Sequence, residues 1–399
     1  RLMVTGYEVT EGRVAQEEPF TLTVYVSNVN EYADAYNVML TYTSKTDNVT
    51  ITKIGQSSTG SKVNLTLSMD DISTYANFGK GNEVDLKYKK LDGENSEYIA
   101  FVAHYPDYEN SELKNGGYAT VVYVICEGGT KKIIDNGEVT DDQYCGDNNP
   151  AIKIKRADAV YLIAISDRTY DMGAYADFEN TESYAFVDKL VNATKSVAEK
   201  YTVDGKFSYD KALASHTEIF SKEFNTVTFK LGYTDSTDSN EDLVGQQYQK
   251  NELVSDLMER AYYSGRYAYL CSANYSTPRL YGMWTGEWDP GWGSKYTMDA
   301  NVNLQTSSMN TSNMQSTYIG YASFILRQVA DWEENAKATH GFTDAIQAPV
   351  NTDGAKAVIT ETCYSYPFRY WNAGSSWMLH PLYETLLCYG DVQIPITDE

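Results

Sequence analysis

The sequence predicts a multidomain β + α protein, in which a strand-rich first half is followed by a helical second half. The chain has 399 residues, more than one ordinary hydrophobic core accommodates. Apolar and polar residues alternate through the first part, which is typical of half-buried strands. Near residue 180 the apolar spacing changes to three and four residues, as in amphipathic helices. These observations together give the fold class.

The first half is read as two β regions. In "PFTLTVYV", Phe20, Leu22 and Val24 alternate with polar residues, and "YNVMLTY" follows as a partner strand. Residues 1–60 resemble the small Ig-like modules of bacterial surface proteins. Residues 61–172 continue in strands, from "KVNLTLSM" to "DAVYLIAIS", with Gly, Asn and Asp turns between them. We expect this second region to be part of a large β-sandwich.

The second half is read as an array of helices. Residues 173–244 contain "YAFVDKLVNATKSVAEKY" and "SYDKALASHTEIFSKEF", which have helical apolar spacing. Further helical segments follow across residues 245–399, separated by long loops that hold tryptophans and carboxylates. Long loops at one end of a helix array indicate a helical barrel or bundle with its site at the loop end.

Composition and charge restrict the function. Hydrophobic residues make up 42% of the chain and aromatics 13%, so the chain buries real cores. The formal net charge of −23 repels phosphate backbones and anionic lipids, which argues against nucleic acid and membrane-surface partners. No apolar run approaches the length of a membrane helix. Abundant Tyr and Trp beside Asn, Ser and Thr suit a carbohydrate ligand, although an acidic extracellular surface explains them equally well.

The cysteines and glycine turns indicate no cofactor and no metal. Cys126, Cys145, Cys271, Cys363 and Cys388 contain no CxxC pair. Cys126 and Cys145 could bridge neighbouring strands, but buried free thiols are the commoner outcome. The glycine pairs in "NGGY" and "CEGGTKK" read as hairpin turns, because no helix with a GK[ST] motif follows.

The segment "MWTGEWDPGWGSKYTMDANVNLQ" concentrates candidate site residues. Its tryptophans could form a sugar platform or pin the loop to the protein, and for Trp292 we expect packing. Asp299 and Asn301 stand beside a predicted helix start, so both are also candidates for plain N-caps. Glu287 and Asp289 are expected in a solvated turn, because residues two apart in a loop rarely face one space.

Other charged residues are expected to be structural. Asp331, Glu333 and Glu334 are predicted to lie on a solvated helix face. His216 and His380 are expected at the boundary faces of their helices. His340 precedes Gly341, as the last residue of a helix does.

Four consecutive parts of the sequence carry a resemblance to a known family. "YYSGRYAYLCSANYSTPRLYGMWTGEWDPGWGSKYTMDANVNLQ" resembles the catalytic signature of glycoside hydrolase family 95, the α-L-fucosidases and α-L-galactosidases. Its GRY helix, tryptophan, WGS turn and Asn-x-Asn position occur in the family's order, and "PVNTD" and "WNAGSSWMLHPLYETLLCYGD" fall where later motifs stand. The resemblance implies a β-supersandwich, a helical linker over residues 173–244, and an (α/α)₆ toroid barrel of which residues 245–399 form the first part.

The resemblance also implies inverting hydrolysis of a terminal α-linked fucose or related sugar. In the family, two asparagines hold the attacking water, a distant aspartate polarises it, and a glutamate protonates the leaving group. The residues that this implies here are Asp299 and Asn301 as catalytic groups, and Trp284, Trp377, Asn351 and Asp353 as substrate-binding groups. Asp299 departs from the family's asparagine: it acts as an ordinary general base, or its charge disables a site shaped for two amides.

These observations leave two classes of function open. The first is a bacterial extracellular or cell-surface glycosidase whose partner is an oligosaccharide or glycan. The alternative is a catalytically impaired, family 95-like protein that retains carbohydrate binding or a structural role at the cell surface. Counterparts of the family's acid glutamate and base-activating aspartate are not found before Glu399. We therefore expect the remainder of a longer protein to be a further partner.

Overall fold

A computed structural model of the chain describes residues 2–9, 22–28, 37–43, 47–56, 62–69, 87–104, 116–135, 150–169, 184–232, 236–274, 276–282, 291–354, 356–359 and 371–393. The described residues divide into two compact units, the first ending at Phe220 and the second beginning at Ser221. Among these residues, no helix is both long enough and apolar enough to cross a membrane.

The first unit is built on antiparallel sheets. Its strands are β1 (Leu2–Val9), β2 (Leu22–Asn28), β3 (Asn37–Thr43), β4 (Thr50–Gln56), β5 (Val63–Ser68), β6 (Lys87–Asp92), β7 (Tyr98–His104), β8 (Gly117–Glu127), β9 (Thr130–Asp135), β10 (Pro150–Ala157), β11 (Ala159–Thr169), β12 (Thr202–Val203) and β13 (Lys206–Phe207). Within the described residues, one sheet has six strands in the order β3-β4-β11-β8-β7-β6, and a second has the order β5-β10-β9. β1 pairs with β2, and β12 with β13.

The two larger sheets pack on each other through one buried cluster. Period-2 alternation places Val160 of β11 and Val124 of β8 on the same face of the six-stranded sheet. Ile152 and Ile154 of β10 meet them from the three-stranded sheet, and all four side chains are at most 1% exposed. The alternation seen in the sequence therefore reports a real buried face.

The other face of the six-stranded sheet is covered by helices α1 (Ala185–Lys200) and α2 (Tyr209–Phe224). Val187, Leu190 and Val191 of α1 recur at helical spacing and pack on Ala100 and Val121 of the sheet. Both faces of the central strands are consequently buried, which explains why β8 and β11 are rich in Val and Ile.

The second unit is helical. Its helices are α3 (Asn240–Lys250), α4 (Ser255–Ser272), α5 (Asn301–Thr306), α6 (Gln315–Leu326), α7 (Val329–His340) and α8 (Gly374–Tyr389). A short ladder pairs β14 (Tyr296–Thr297) with β15 (Asn351–Thr352). Its core includes the fully buried side chains of Tyr321, Phe324 and Trp332.

Arg266 of α4 fastens the chain that follows α2. Its guanidinium donates to the carbonyls of Phe224 at 2.9 Å and Glu223 at 2.6 Å, to the Thr226 hydroxyl at 2.8 Å, and to the Ser312 carbonyl. The side chain is buried, and these oxygens satisfy its planar set of donors. Lysine lacks that fork geometry and cannot replace it. Arg266 is the arginine of the GRY motif, so that motif has a structural role.

Glu259, two turns earlier on α4, fastens the same segment further along. One carboxylate oxygen accepts from the backbone N–H of Leu231 at 2.5 Å and of Gly232 at 3.0 Å, and the other pairs with Lys230 at 3.1 Å. Burial alone raises the pKa of Glu259, but the hydrogen bonds and Lys230 outweigh it, so the pKa is lowered from its ordinary value of 4.5. Glu259 is therefore a buried, ionised anchor.

The predicted change from strands to helices near residue 180 is confirmed, because β11 ends at Thr169 and α1 begins at Ala185. The six-stranded sheet crosses the predicted boundary at residue 60, since β4 pairs with β11. The Ig-like character of residues 1–60 and the other bounds, at 172 and 244, stay predictions. So do the β-supersandwich and the closure of the helices into an (α/α)₆ toroid.

The structure tests the expectations for His340 and for the acidic residues of α7. His340 ends α7 and is followed by Gly341 in the left-handed conformation at φ 74°, as predicted. The prediction of plain surface holds for Glu333 and Glu334, which are exposed, but is wrong for Asp331. Its carboxylate accepts from the backbone N–H of Ala357 at 2.7 Å, because that loop folds back onto the start of α7.

The thiols were expected to be free or bridged. Cys126 forms no disulfide, and its Sγ donates to the Gly128 carbonyl at 3.1 Å. Cys271 and Cys388 form no disulfide either, and Cys388 is exposed, so the expectation of a buried thiol is wrong there. Cys145 and Cys363 lie outside the described residues.

Replacing Glu259 by glutamine tests the anchor through its pH dependence. Because the pKa of Glu259 is lower in the folded chain, its stabilisation is fully present above about pH 4.5 and is lost as the pH falls through the folded pKa. Glu259→Gln is expected to reduce the free energy of unfolding by about 1–3 kcal/mol near neutral pH. The free energy of unfolding of the variant should also decrease less than that of the wild type as the pH is lowered. Thermal melts at several pH values measure both effects.

The matched control for that experiment is Glu252→Gln, which changes an exposed glutamate in the loop after α3. It is expected to leave both the melting temperature and its pH dependence unchanged. Equal effects of the two substitutions would contradict the anchoring role of Glu259.

Candidate active site

One main-chain junction in the helical unit brings together the segments that carry most of the predicted site residues. The backbone N–H of Met298 donates to the Val350 carbonyl at 2.7 Å. The Met298 carbonyl accepts from the indole Nε1 of Trp377 at 3.0 Å. That carbonyl belongs to the peptide group that joins Met298 to Asp299. The Asp299 segment, the strand containing Asn351 and the first turn of α8 therefore meet at Met298.

The β14–β15 ladder continues this junction and presents the loop with Asn351 and Asp353. Thr297 pairs with Asn351, and Asn351 is half-buried. Gly354 has φ 94°, and a Cβ there would lie 2.5 Å from the Tyr296 ring. Glycine is needed because the turn both adopts a left-handed conformation and packs directly on that ring. Asp353 lies exposed in this turn, where its Oδ1 accepts from the Lys356 N–H at 2.9 Å.

Asp299 holds a carboxylate oxygen that the fold leaves unsatisfied. Within the described part of the chain, its Oδ1 is buried and accepts no hydrogen bond. The N-cap alternative is not supported, because α5 begins at Asn301 after Ala300 and no side chain caps its backbone donors. A buried acceptor without a partner costs about 1–3 kcal/mol. Such a group is explained when a ligand or substrate water supplies the missing donor.

Asn301 is the first residue of α5 and is partly buried, two residues after Asp299. The first helical turn leaves backbone N–H groups unpaired, so an amide side chain there stands beside further donors. Asp299 and Asn301 therefore supply an acceptor and an amide at one helix start.

Asn303 is a residue of this region that the sequence reasoning missed. Its Nδ2 donates to the Trp377 carbonyl at 2.7 Å, and its Oδ1 lies 3.2 Å from the Tyr321 hydroxyl oxygen. The signal was present in the sequence, because Asn301-Val302-Asn303 is itself an Asn-x-Asn spacing. In the structure Asn303 ties α5 to α8.

The tryptophans differ in their surroundings. Trp377 is 41% exposed, with its Nε1 bound to the Met298 carbonyl and part of its ring open. Trp292 is 81% exposed and lies in a turn with φ 58°, so the expectation that it packs is wrong. The left-handed turn "GWGS" directs that side chain outward. Trp284, with Trp288, Glu287 and Asp289, lies outside the described residues.

The arrangement suits a neutral, hydroxyl-rich ligand. A half-open indole offers a face for an apolar sugar ring, and the segment to which the indole is hydrogen-bonded carries the acceptor of Asp299 and the amide of Asn301. Across the described ranges, no three side chains of His, Cys, Asp or Glu are grouped so as to hold a metal ion.

Residues 208–394 match the model of the glycosyl hydrolase family 95 catalytic domain. The recognition made from the motifs is thereby confirmed, in that residues 208–394 are similar to a glycoside hydrolase catalytic domain of that family. The search of curated proteins finds no match to the chain.

Replacing Asp299 by alanine separates a functional carboxylate from a structural one. Since its buried Oδ1 lacks a partner, Asp299→Ala is expected to leave the melting temperature of the chain unchanged or to raise it by a few degrees. Differential scanning calorimetry measures this. The control is Ser239→Ala, because Ser239 does cap α3 by accepting from the Asp242 N–H at 3.1 Å, and its loss should cost about 1 kcal/mol. A destabilisation by Asp299→Ala as large as that of the control would contradict the account.

Proposed function

We propose that this protein is an inverting exo-glycosidase that removes a terminal α-L-fucose or a closely related sugar from a glycan. The family match supports a glycoside hydrolase. The observation that carries the finer proposal is the buried Oδ1 of Asp299, which accepts no hydrogen bond within the described residues and belongs to the residue after the carbonyl that the Trp377 indole binds. A catalytic base needs an acceptor that the fold has not already used, and Asp299 meets that condition.

The roles follow from the chemistry of each group. Asp299 acts as the general base and takes a proton from the attacking water. Asn301 holds that water by its amide. Trp377 stacks on the apolar face of the sugar, and Asn351 and Asp353 bind hydroxyls, with Trp284 as a further ring contact. Inversion places the water and the acid on opposite faces of the sugar, with the two catalytic groups roughly 6.5–9.5 Å apart.

We further propose the scaffold and location that the resemblance implies. Helices α4 to α8 would belong to an (α/α)₆ toroid, and the sheets of the first unit to a β-supersandwich. A bacterial extracellular or cell-surface location is supported by the acidic composition and by the Ig-like pattern of the first residues.

Sugar binding without hydrolysis is the alternative function for the same site. The aspartate at position 299, where the family has asparagine, favours a protein that binds sugar without hydrolysing it if the charge disturbs a site made for two amides. The exposed Trp377 suits binding and hydrolysis equally. Turnover therefore has to be measured separately from binding.

Replacing Asp299 by asparagine distinguishes the two functions. If Asp299 is the base, Asp299→Asn is expected to slow L-fucose release from a 2′-fucosyl oligosaccharide by roughly 10²- to 10⁴-fold, because the amide cannot take the proton. Sugar binding, followed by calorimetry, should change much less. NMR of the first product formed should show β-L-fucose, the inverted anomer.

The matched control is Asp344→Asn, which makes the same change at an exposed residue after α7 and should leave turnover unchanged. Wild-type protein that binds L-fucose without releasing any would favour the binding function. Equal turnover by wild type and Asp299→Asn would contradict Asp299 as the base.

A further inference from the structure

A proline inside α8 leaves one helix carbonyl without its usual partner. In an α-helix each carbonyl accepts from the N–H four residues later, and for Trp377 that residue is Pro381. Proline has no N–H, and its ring crowds the carbonyl four residues before it. The Trp377 carbonyl is thus free to accept from a donor outside the helix.

Asn303 of α5 supplies that donor. Its Nδ2 lies 2.7 Å from the Trp377 carbonyl oxygen, which is at the short end of the range for an N–H···O hydrogen bond. The next carbonyl, that of Met378, accepts from the hydroxyl of the fully buried Tyr321 at 2.7 Å. Two side chains from other helices therefore hold consecutive carbonyls in the first turns of α8.

The backbone so held carries the indole of the candidate site. The main chain of Trp377 is fixed by Asn303, and its Nε1 reaches the carbonyl of the Met298–Asp299 peptide at 3.0 Å. The hydrogen bonds form a continuous path from α5 through Trp377 to the residue before Asp299. A shift of the Trp377 backbone would move both the ring and that peptide.

We propose that Asn303 is a positioning residue, which fixes the Trp377 indole beside Asp299 by binding the carbonyl that Pro381 leaves unpaired. Its contribution to catalysis rests on the proposed function, because it matters there only if Trp377 contacts the sugar. The positioning itself is measurable without any substrate.

Trp377 fluorescence measures the positioning directly. The signal of Trp377 is obtained as the difference between each variant and the same variant carrying Trp377→Phe. Asn303→Ala should shift this difference spectrum to the red and increase acrylamide quenching, because an unfixed indole is more exposed to water. Asn303→Asp, which keeps the size but loses the N–H donor, should do the same and serves if the alanine variant folds poorly.

The role of Pro381 gives a second, sharper test. Pro381→Ala restores an N–H four residues after Trp377, so the carbonyl regains a helical partner. In that background, Asn303→Ala should have little effect on the Trp377 spectrum. Such coupling is expected only when the two residues serve the same carbonyl. Equal spectral shifts in both backgrounds would overturn the proposal.

The sugar site should respond in parallel. Asn303→Ala is expected to weaken L-fucose binding or kcat/KM by roughly 10- to 100-fold, the range that misplacement of a site group produces. Pro381→Ala with Asn303→Ala should recover most of this loss. If the wild type binds no L-fucose while the spectral coupling appears, the positioning role is supported and the proposed function fails.

Thr385→Val is the matched control. Thr385 lies one turn further along α8, and its hydroxyl lies 2.9 Å from Asn310 Oδ1 and 3.0 Å from the Pro381 carbonyl. The substitution removes this side-chain hydrogen bonding of α8 without touching the Trp377 carbonyl. It should leave the Trp377 spectrum unchanged even if the chain melts earlier. A red shift as large as that of Asn303→Ala would contradict the proposal, since any loosening of α8 would then suffice.

Discussion

The peptide group between Met298 and Asp299 is the point on which the candidate site depends. Its carbonyl accepts from Trp377, and the N–H of Met298 donates to Val350, so two segments distant in sequence are fixed to one residue. Met298 itself is fully buried, which excludes water from competing for these bonds. The position of Asp299 is set by this junction before any substrate arrives. Preorganisation of this kind is what the general base proposed at Asp299 would require.

The Asp299 carboxylate lowers the stability of the helical unit, and buried hydrogen-bonded groups elsewhere in that unit stabilise it. Within the described residues the buried Oδ1 of Asp299 accepts no hydrogen bond, which is unfavourable. The segment joining α2 to α3 is held by two buried, fully bonded charges on α4, Arg266 and Glu259.

The sequence predicted the parts of the fold that follow from local periodicity. Apolar runs bounded by turn residues predicted strands such as β8 and β11, and the three- and four-residue spacing predicted α1, because burial imposes these patterns. The pairing of β4 with β11 was not predictable, since strand order is decided by contacts between distant residues. The outward direction of Trp292 depends on a left-handed turn that composition does not reveal.

Motif order named the candidate residues but not the contacts between them. Asp299, Asn301 and Trp377 were named as candidates from motif order, and the structure brings their segments together with the loop of Asn351 and Asp353. Asn303 was missed, because its meaning depends on a carbonyl freed by a proline 78 residues later. A local sequence pattern cannot show that the Asn303 side chain will lie against the first turn of α8.

The central claim is that the Trp377 indole and Asp299 form one sugar-binding site at the Met298 junction. Fluorine NMR of the chain labelled with 5-fluorotryptophan tests it most directly, with the Trp377 resonance assigned by Trp377→Phe. On titration with L-fucose, the Trp377 resonance is predicted to shift and saturate, and to respond more weakly in Asp299→Ala. A Trp377 resonance that stays unchanged while L-fucose binds, or that shifts equally in both proteins, would contradict the claim.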